Sequence, residues 1–80
     1  MSANEQKLRR AFAAALNLDE AEVSDDLTYA VSTGWDSIAH MSLVAHLDDA
    51  FAIMLDTDDV LDMSSFRKAR EILTKYGIEF

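Results

Sequence analysis

The sequence has no cysteine, no proline and only two glycines. Without cysteine there is neither a disulfide framework nor a thiolate metal site. Without proline, and with so little glycine, little interrupts a helix. No run of about 18 apolar residues occurs and no signal-peptide pattern opens the chain, so the expectation is a soluble, cytoplasmic protein without stable membrane insertion. The most informative absence is of positive charge. Twelve of the 15 Asp and Glu fall between Asp19 and Asp62, where there is no Lys or Arg, and all seven bases lie in Lys7–Arg10 and Arg67–Lys75. A central block this negative repels nucleic acid and anionic lipid. It attracts a protein with a basic surface and speeds their encounter. Solubility alone explains the net charge of -8, but not so long a stretch without a base.

Half of the 80 residues are apolar, which fits a folded globule rather than a disordered chain. This length makes one domain, residues 1–80, burying roughly 60% of the surface its unfolded form exposes. The core is thin, and a deep, enclosed active site is not expected. Ser2 and Glu5 have capping-box spacing. Behind them Leu8, Phe12, Ala15 and Leu16 recur at helical spacing, predicting an amphipathic helix over Asn4–Leu16. Asn17–Trp35 is a long connection whose scattered Leu18, Val23, Leu27, Tyr29 and Val31 suggest pinning over the core, with a short helical turn near Ser24–Leu27. Ile53–Leu55 reads as a buried connector, and Asp56–Asp62 as a brief helix with Val60, Leu61 and Met63 inward. A last helix over Ser65–Tyr76, capped by Ser64, carries Phe66, Ala69, Ile72, Leu73 and Tyr76, and Gly77 stops it. The fold class is all-α: a small bundle of three main helices plus one short helix.

The helix predicted over Ser37–Phe51, with Asp36 as its N-cap, has a wider apolar arc than one core-facing stripe needs. Leu43, Leu47 and Phe51 make one face. Ile38, Met41 and Ala45 lie on another, since Met41 and Leu43 are about 200° apart around the axis. Either Ile38 and Met41 pack under the long loop, or they form an apolar patch beside Asp48 and Asp49, as partner-binding sites do.

Asp36, Ser37 and His40 suggest a hydrolase triad, but Asp36 is placed to cap a helix, and "GWDSI" is not the G-x-S-x-G elbow. An oxyanion hole and an acyl pocket are not evident. His40 and His46 are about 240° apart and cannot share a metal. "DTDDVLD" begins like a calcium loop, then places Leu61 at the essential glycine and Arg67 at the bidentate glutamate. We expect no metal site and no catalysis. Covalent attachment suits Ser37 better: a loop-to-helix junction is exposed, and the positive end of a helix tolerates a phosphodiester. On spacing alone a helix-start serine with no such role is the favoured reading, since Ser and Asp are common at caps.

"GWDSIAHMSLVAHLDDAF" followed by "IMLDTDDVLDMSSFRKAREIL" resembles the acyl carrier protein family. The resemblance lies in Asp-Ser before an apolar residue, a helix with Leu-Val and acids before Phe, and a short acidic helix and a final helix. With Asn4–Leu18 as first helix it covers nearly the whole chain. It implies a freestanding monomer on which a phosphopantetheinyl transferase esterifies Ser37 with 4′-phosphopantetheine, Asp36 being the acid before that serine. The arm's thiol would carry an acyl group as a thioester. An acyl-loading ligase or transferase and downstream acyl-using enzymes, of fatty-acid, polyketide or related specialised biosynthesis, are the implied partners. They would dock on Ile38, Met41, Ala45, Asp48, Asp49 and Met63. Ser42, His46, Trp35 and the Met63–Phe66 step depart from the housekeeping pattern and leave open a fatty acyl, polyketide, sugar-modifying or aminoacyl cargo. An unmodified acidic helical adaptor for a basic partner protein is the alternative.

Overall fold

The computed structural model describes residues 2–31 and 34–80. It contains α1 (Ala3–Leu16), α2 (Ser37–Phe51), α3 (Thr57–Asp62) and α4 (Phe66–Lys75), with one 3-10 turn at Glu20–Glu22 and no strand among the described residues. This is the expected small all-α bundle of three main helices and a short one. Part of the long connection, residues 32–33, lies outside the described residues.

Local chemistry sets the helix ends. Ser2 Oγ accepts the Glu5 N–H (3.1 Å), which is half of the expected capping box. The Glu5 carboxylate turns instead toward Arg9 (3.6 Å) and Arg70 (3.2 Å). Asp36 Oδ1 accepts the Ala39 N–H (2.9 Å) and starts α2 where the sequence indicates. Helix α4 is capped by Ser65 rather than Ser64: its hydroxyl accepts the Lys68 N–H (3.0 Å), leaving the Ser64 carbonyl to receive the Tyr29 N–H (2.9 Å). Asn17 and Gly77 take the left-handed conformation beyond α1 and α4. Beyond α2 the same conformation falls on Ala52, where it costs roughly 1–2 kcal/mol.

Phe12 occupies the centre of the core, its ring 5.3 Å from Trp35 and 4.9 Å from Phe66, both edge-on. Leu8, Leu43, Leu47, Ile72 and Leu73 close around them, fully buried. Each such side chain contributes roughly 1.5–3 kcal/mol by leaving water.

The long connection is held from both sides. Leu27 O accepts the Phe66 N–H (3.0 Å), and Thr28 and Ser65 form an antiparallel bridge. Arg70 on α4 reaches Asp25 (2.6 Å) as well as Glu5, while Arg9 on α1 donates to the Val23 carbonyl. Both guanidinium groups lie over the Phe66 ring, at 5.2 and 5.3 Å. Val23 and Leu27 are buried, whereas Val31 faces solvent. Gly34 closes the loop against α1 with φ +88°; a Cβ there would stand 2.9 Å from the Leu16 carbonyl oxygen, so the position excludes any side chain.

Three further details differ from the sequence expectation. The helical turn of the loop is at Glu20–Glu22, and Ser24–Leu27 is a simple turn closed by Leu27 N–H to Ser24 O (3.1 Å). Met54 points outward between half-buried Ile53 and buried Leu55, because successive residues of an extended connector alternate sides. Leu61 is 79% exposed: a single short helix lying on the surface buries only one side, here the one holding Val60.

The hydrogen bond from Arg70 holds the Asp25 carboxyl below the usual carboxylate range, and that from Lys75, seconded by the Tyr76 hydroxyl, does the same for Asp59. Both groups have folded values below their unfolded ones, so their contribution to stability is complete above about pH 4 and is lost as pH falls through the lower folded values. We expect thermal stability to decline below about pH 4. Asp25→Asn should flatten that decline while costing at most about 1 kcal/mol at neutral pH, since both side chains of the pair stay partly in water. An acid limb of unchanged steepness in the variant, followed by circular dichroism melting, would contradict this assignment.

Candidate functional site

Trp35 and Ser37 stand two residues apart and have opposite environments. Trp35 is 1% exposed, packed edge-on against Phe12; Ser37 is the first residue of α2 and exposed. The chain therefore leaves the core and reaches the surface within the Trp35–Asp36–Ser37 step, and Asp36 capping fixes where the helix begins.

The ring of His40 is fully engaged elsewhere. Its Nδ1 accepts the Trp35 indole N–H (3.0 Å). An indole nitrogen can only donate, so the ring proton resides on Nε2, which donates to the Val60 carbonyl (2.8 Å). His40 thus ties α2 to α3 and lies nearly parallel to Trp35, 6.0 Å centroid to centroid. Neither nitrogen is left to serve as a base for Ser37, and Asp36 is occupied at the helix end. Although adjacent in sequence, the three do not form a hydrolase triad.

Ser37 Oγ instead lies 3.0 Å from the Tyr29 hydroxyl. Tyr29 is edge-on to His40 (5.3 Å) and to Trp35 (6.1 Å). Its backbone is held by Ser64, and the next residue, Ala30, donates its N–H to Trp35 O (2.9 Å) from a left-handed conformation (φ 64°). Beside these groups is a cavity of about 150 Å³ lined by Tyr29, His40, Val60, Leu61, Met63 and Ser64. Sequence reading treated Tyr29 only as a loop anchor, because no periodicity connects residues 29 and 37 across an irregular loop.

Of the docking residues expected from the resemblance, Ile38 (81%) and Met41 (75%) are exposed, which decides between the two placements open to them. Ala45 and Asp49 are exposed on the same helix. Asp48 is half-buried, and its Oδ1 accepts the Leu55 N–H (3.1 Å), fastening the connector beyond α2. Met63 is 1% exposed and faces the cavity, so it lies beneath the outer surface; on α3 the exposed apolar side chain is Leu61. Among the described residues no group of three or more His, Asp or Glu could hold a metal ion, and no helix is long and apolar enough to cross a membrane.

A family model described as phosphopantetheine attachment site matches residues 6–73, from the first turn of α1 to the last turn of α4, with Ser37 and Tyr29 inside the match. The chain belongs to that family. It is a phosphopantetheine carrier domain, and 4′-phosphopantetheine is its prosthetic group. Carrier domains of this kind are typically not catalysts themselves and interact with phosphopantetheinyl transferases and acyl-handling enzymes.

The two hydrogen bonds made by His40 join Trp35 to α3, which Lys75 and Tyr76 also hold through Asp59. His40→Ala leaves the buried Trp35 N–H without its acceptor and frees Val60, and should cost about 1–3 kcal/mol. Hydrogen exchange should quicken in α3 well beyond any change in α1. Equal acceleration in both helices would show that His40 does not hold α3 specifically.

Proposed function

We propose that Ser37 is the attachment residue, and that the carrier shuttles an acyl group between cytoplasmic enzymes of fatty-acid, polyketide or related specialised biosynthesis, acting as a monomer and doing no chemistry alone. The observation that carries this reading is an exposed primary hydroxyl on the first residue of α2, in the family-matched span. The residues fit the group. Ser37 Oγ is open to a transferase, the helix start tolerates a phosphodiester, a neutral hydroxyl donor stands 3.0 Å away, and a cavity adjoins it. When bound, the arm supplies a terminal thiol on which an acyl group is held as a thioester. In the loading step Ser37 Oγ forms a bond to phosphorus, the phosphoanhydride of coenzyme A breaks, its nucleotide half leaves, and the serine proton passes to a base of the transferase. Asp36 keeps the helix start ordered while this happens.

The carrier's role is to raise the effective concentration of its cargo at successive enzymes. Ile38, Met41 and Ala45 supply an apolar docking face, extended by Leu61, and Asp48 and Asp49 add acidic attraction for basic partners. An acyl-loading ligase or transferase and downstream acyl-using enzymes would share this face. The same face would also serve an unmodified adaptor; membership of an attachment-site family favours the carrier.

Intact mass after incubation with coenzyme A and a promiscuous phosphopantetheinyl transferase tests the attachment. The expected gain is one phosphopantetheine, absent in Ser37→Ala. No gain with any transferase, with partner binding surviving Ser37→Ala, would establish the adaptor instead. Replacing Ile38 and Met41 together with Ser removes exposed side chains only, so folding should be intact while the KM for the transferase rises about tenfold, ~1.4 kcal/mol. An unchanged KM would place docking elsewhere on the molecule.

A further inference from the structure

The hydrogen bond between Tyr29 and Ser37 has no part in starting the helix, which Asp36 caps. We infer that the Tyr29 hydroxyl is a positioning group for the base of the prosthetic arm: once Ser37 is esterified, it donates to the phosphodiester and fixes the direction in which the arm leaves the protein. This inference rests on Ser37 being the attachment residue.

In the unmodified protein either hydroxyl can be the donor, at 3.0 Å. Esterification removes the serine proton, so Tyr29 must then donate, to the ester oxygen or to one of the anionic oxygens a bond further out. A charged acceptor makes the stronger hydrogen bond. The surroundings make this donor matter. Asp36 puts a carboxylate next to the attachment point and already uses its side chain to satisfy the Ala39 N–H. No Lys or Arg occurs anywhere from Asp19 to Asp62, so neither the loop nor α2 nor α3 supplies a cation to the phosphodiester. A neutral O–H therefore compensates the new negative charge without adding a positive charge to the acidic docking face.

Tyr29 is also well held for the purpose. Its ring is fixed edge-on by Trp35 and His40, and its main chain by Ser64. Its hydroxyl cannot follow a mobile arm over long distances; it can only hold the arm's first atoms. As Tyr29 lines the cavity between α2 and α3, holding the phosphodiester on this side directs the arm across the cavity mouth and away from Ile38 and Met41.

The test compares the modified wild type with modified Tyr29→Phe, which keeps the ring and its packing. Intact mass first establishes that both carry one phosphopantetheine. The phosphorus NMR resonance of the wild-type phosphodiester should be displaced from its position in Tyr29→Phe, and should relax as a group fixed to the protein. In Tyr29→Phe it should narrow and move toward the position found in a short phosphopantetheinylated peptide. Amide shifts of α1 and α4 should coincide in the two proteins, which excludes a general loosening of the fold. Coincident phosphorus resonances and linewidths in two fully modified proteins would overturn the role of Tyr29 alone. Absence of any mass gain on the wild type would overturn the attachment reading and this inference with it.

Discussion

The burial of Trp35 is the constraint on which the site depends. Its indole fills the gap between Phe12 of α1 and Tyr29 of the loop, and its N–H engages His40. A large ring anchored this deeply leaves the backbone only Asp36 in which to turn outward, and Asp36 is conformationally suited to that turn because its extended backbone is that of an N-cap. The exposure of Ser37 follows from the fixing of its neighbour rather than from any property of the serine. The same indole determines the tautomer of His40, and through His40 it helps to locate α3. One buried side chain thus coordinates the position of Ser37, the helix that Ser37 begins and the far wall of the cavity.

The two charge territories of the sequence have different tasks in the fold. The bases of α1 and α4 are largely spent internally: Arg9 and Arg70 cover Phe66 and fasten the loop, Lys75 pairs with Asp59, and Lys68 reaches Asp62. These contacts draw the acidic connecting segments against the basic helices, and each is individually small in water. Asp49, in contrast, remains exposed on α2 along with Ile38, Met41 and Ala45. Internal pairing therefore consumes positive charge and leaves a negative surplus on the face beside Ser37. Such a surplus favours rapid, salt-sensitive and reversible encounters over permanent complexes, as a carrier visiting several enzymes requires.

Where the sequence carried a long period, its reading matched the structure. Helix α2 begins at Ser37 and ends at Phe51 as its cap and apolar spacing indicate, and the stripe of Phe66, Ala69, Ile72 and Leu73 is buried. The wide arc of α2 even signalled that Ile38 and Met41 lacked a core to face. Short segments were less legible for a physical reason. In α3, six residues give less than two turns, so periodicity cannot say which of Val60, Leu61 and Met63 point inward. Met63 is inward as the segment suggests, which removes it from the docking set the resemblance implied, whereas Leu61, expected inward, is on the surface. Asp48 shows a further limit, since its bond to Leu55 depends on a backward bend beyond α2 that no local pattern encodes.

Tyr29 lay furthest beyond sequence reasoning, and it shows how the loop and the helix combine into a site. Its hydroxyl meets Ser37 because three separate contacts coincide: the bridge of the loop to the start of α4, the left-handed turn at Ala30, and the packing of its ring on Trp35 and His40. None is predictable from residues 29 and 37 alone. The left-handed Ala30 costs energy that a glycine would avoid, yet a glycine would also give the loop freedom to swing Tyr29 away from the helix start. A stiff, slightly strained loop thus keeps a hydroxyl beside the serine, and under the proposed attachment it would join a mobile arm to an immobile base.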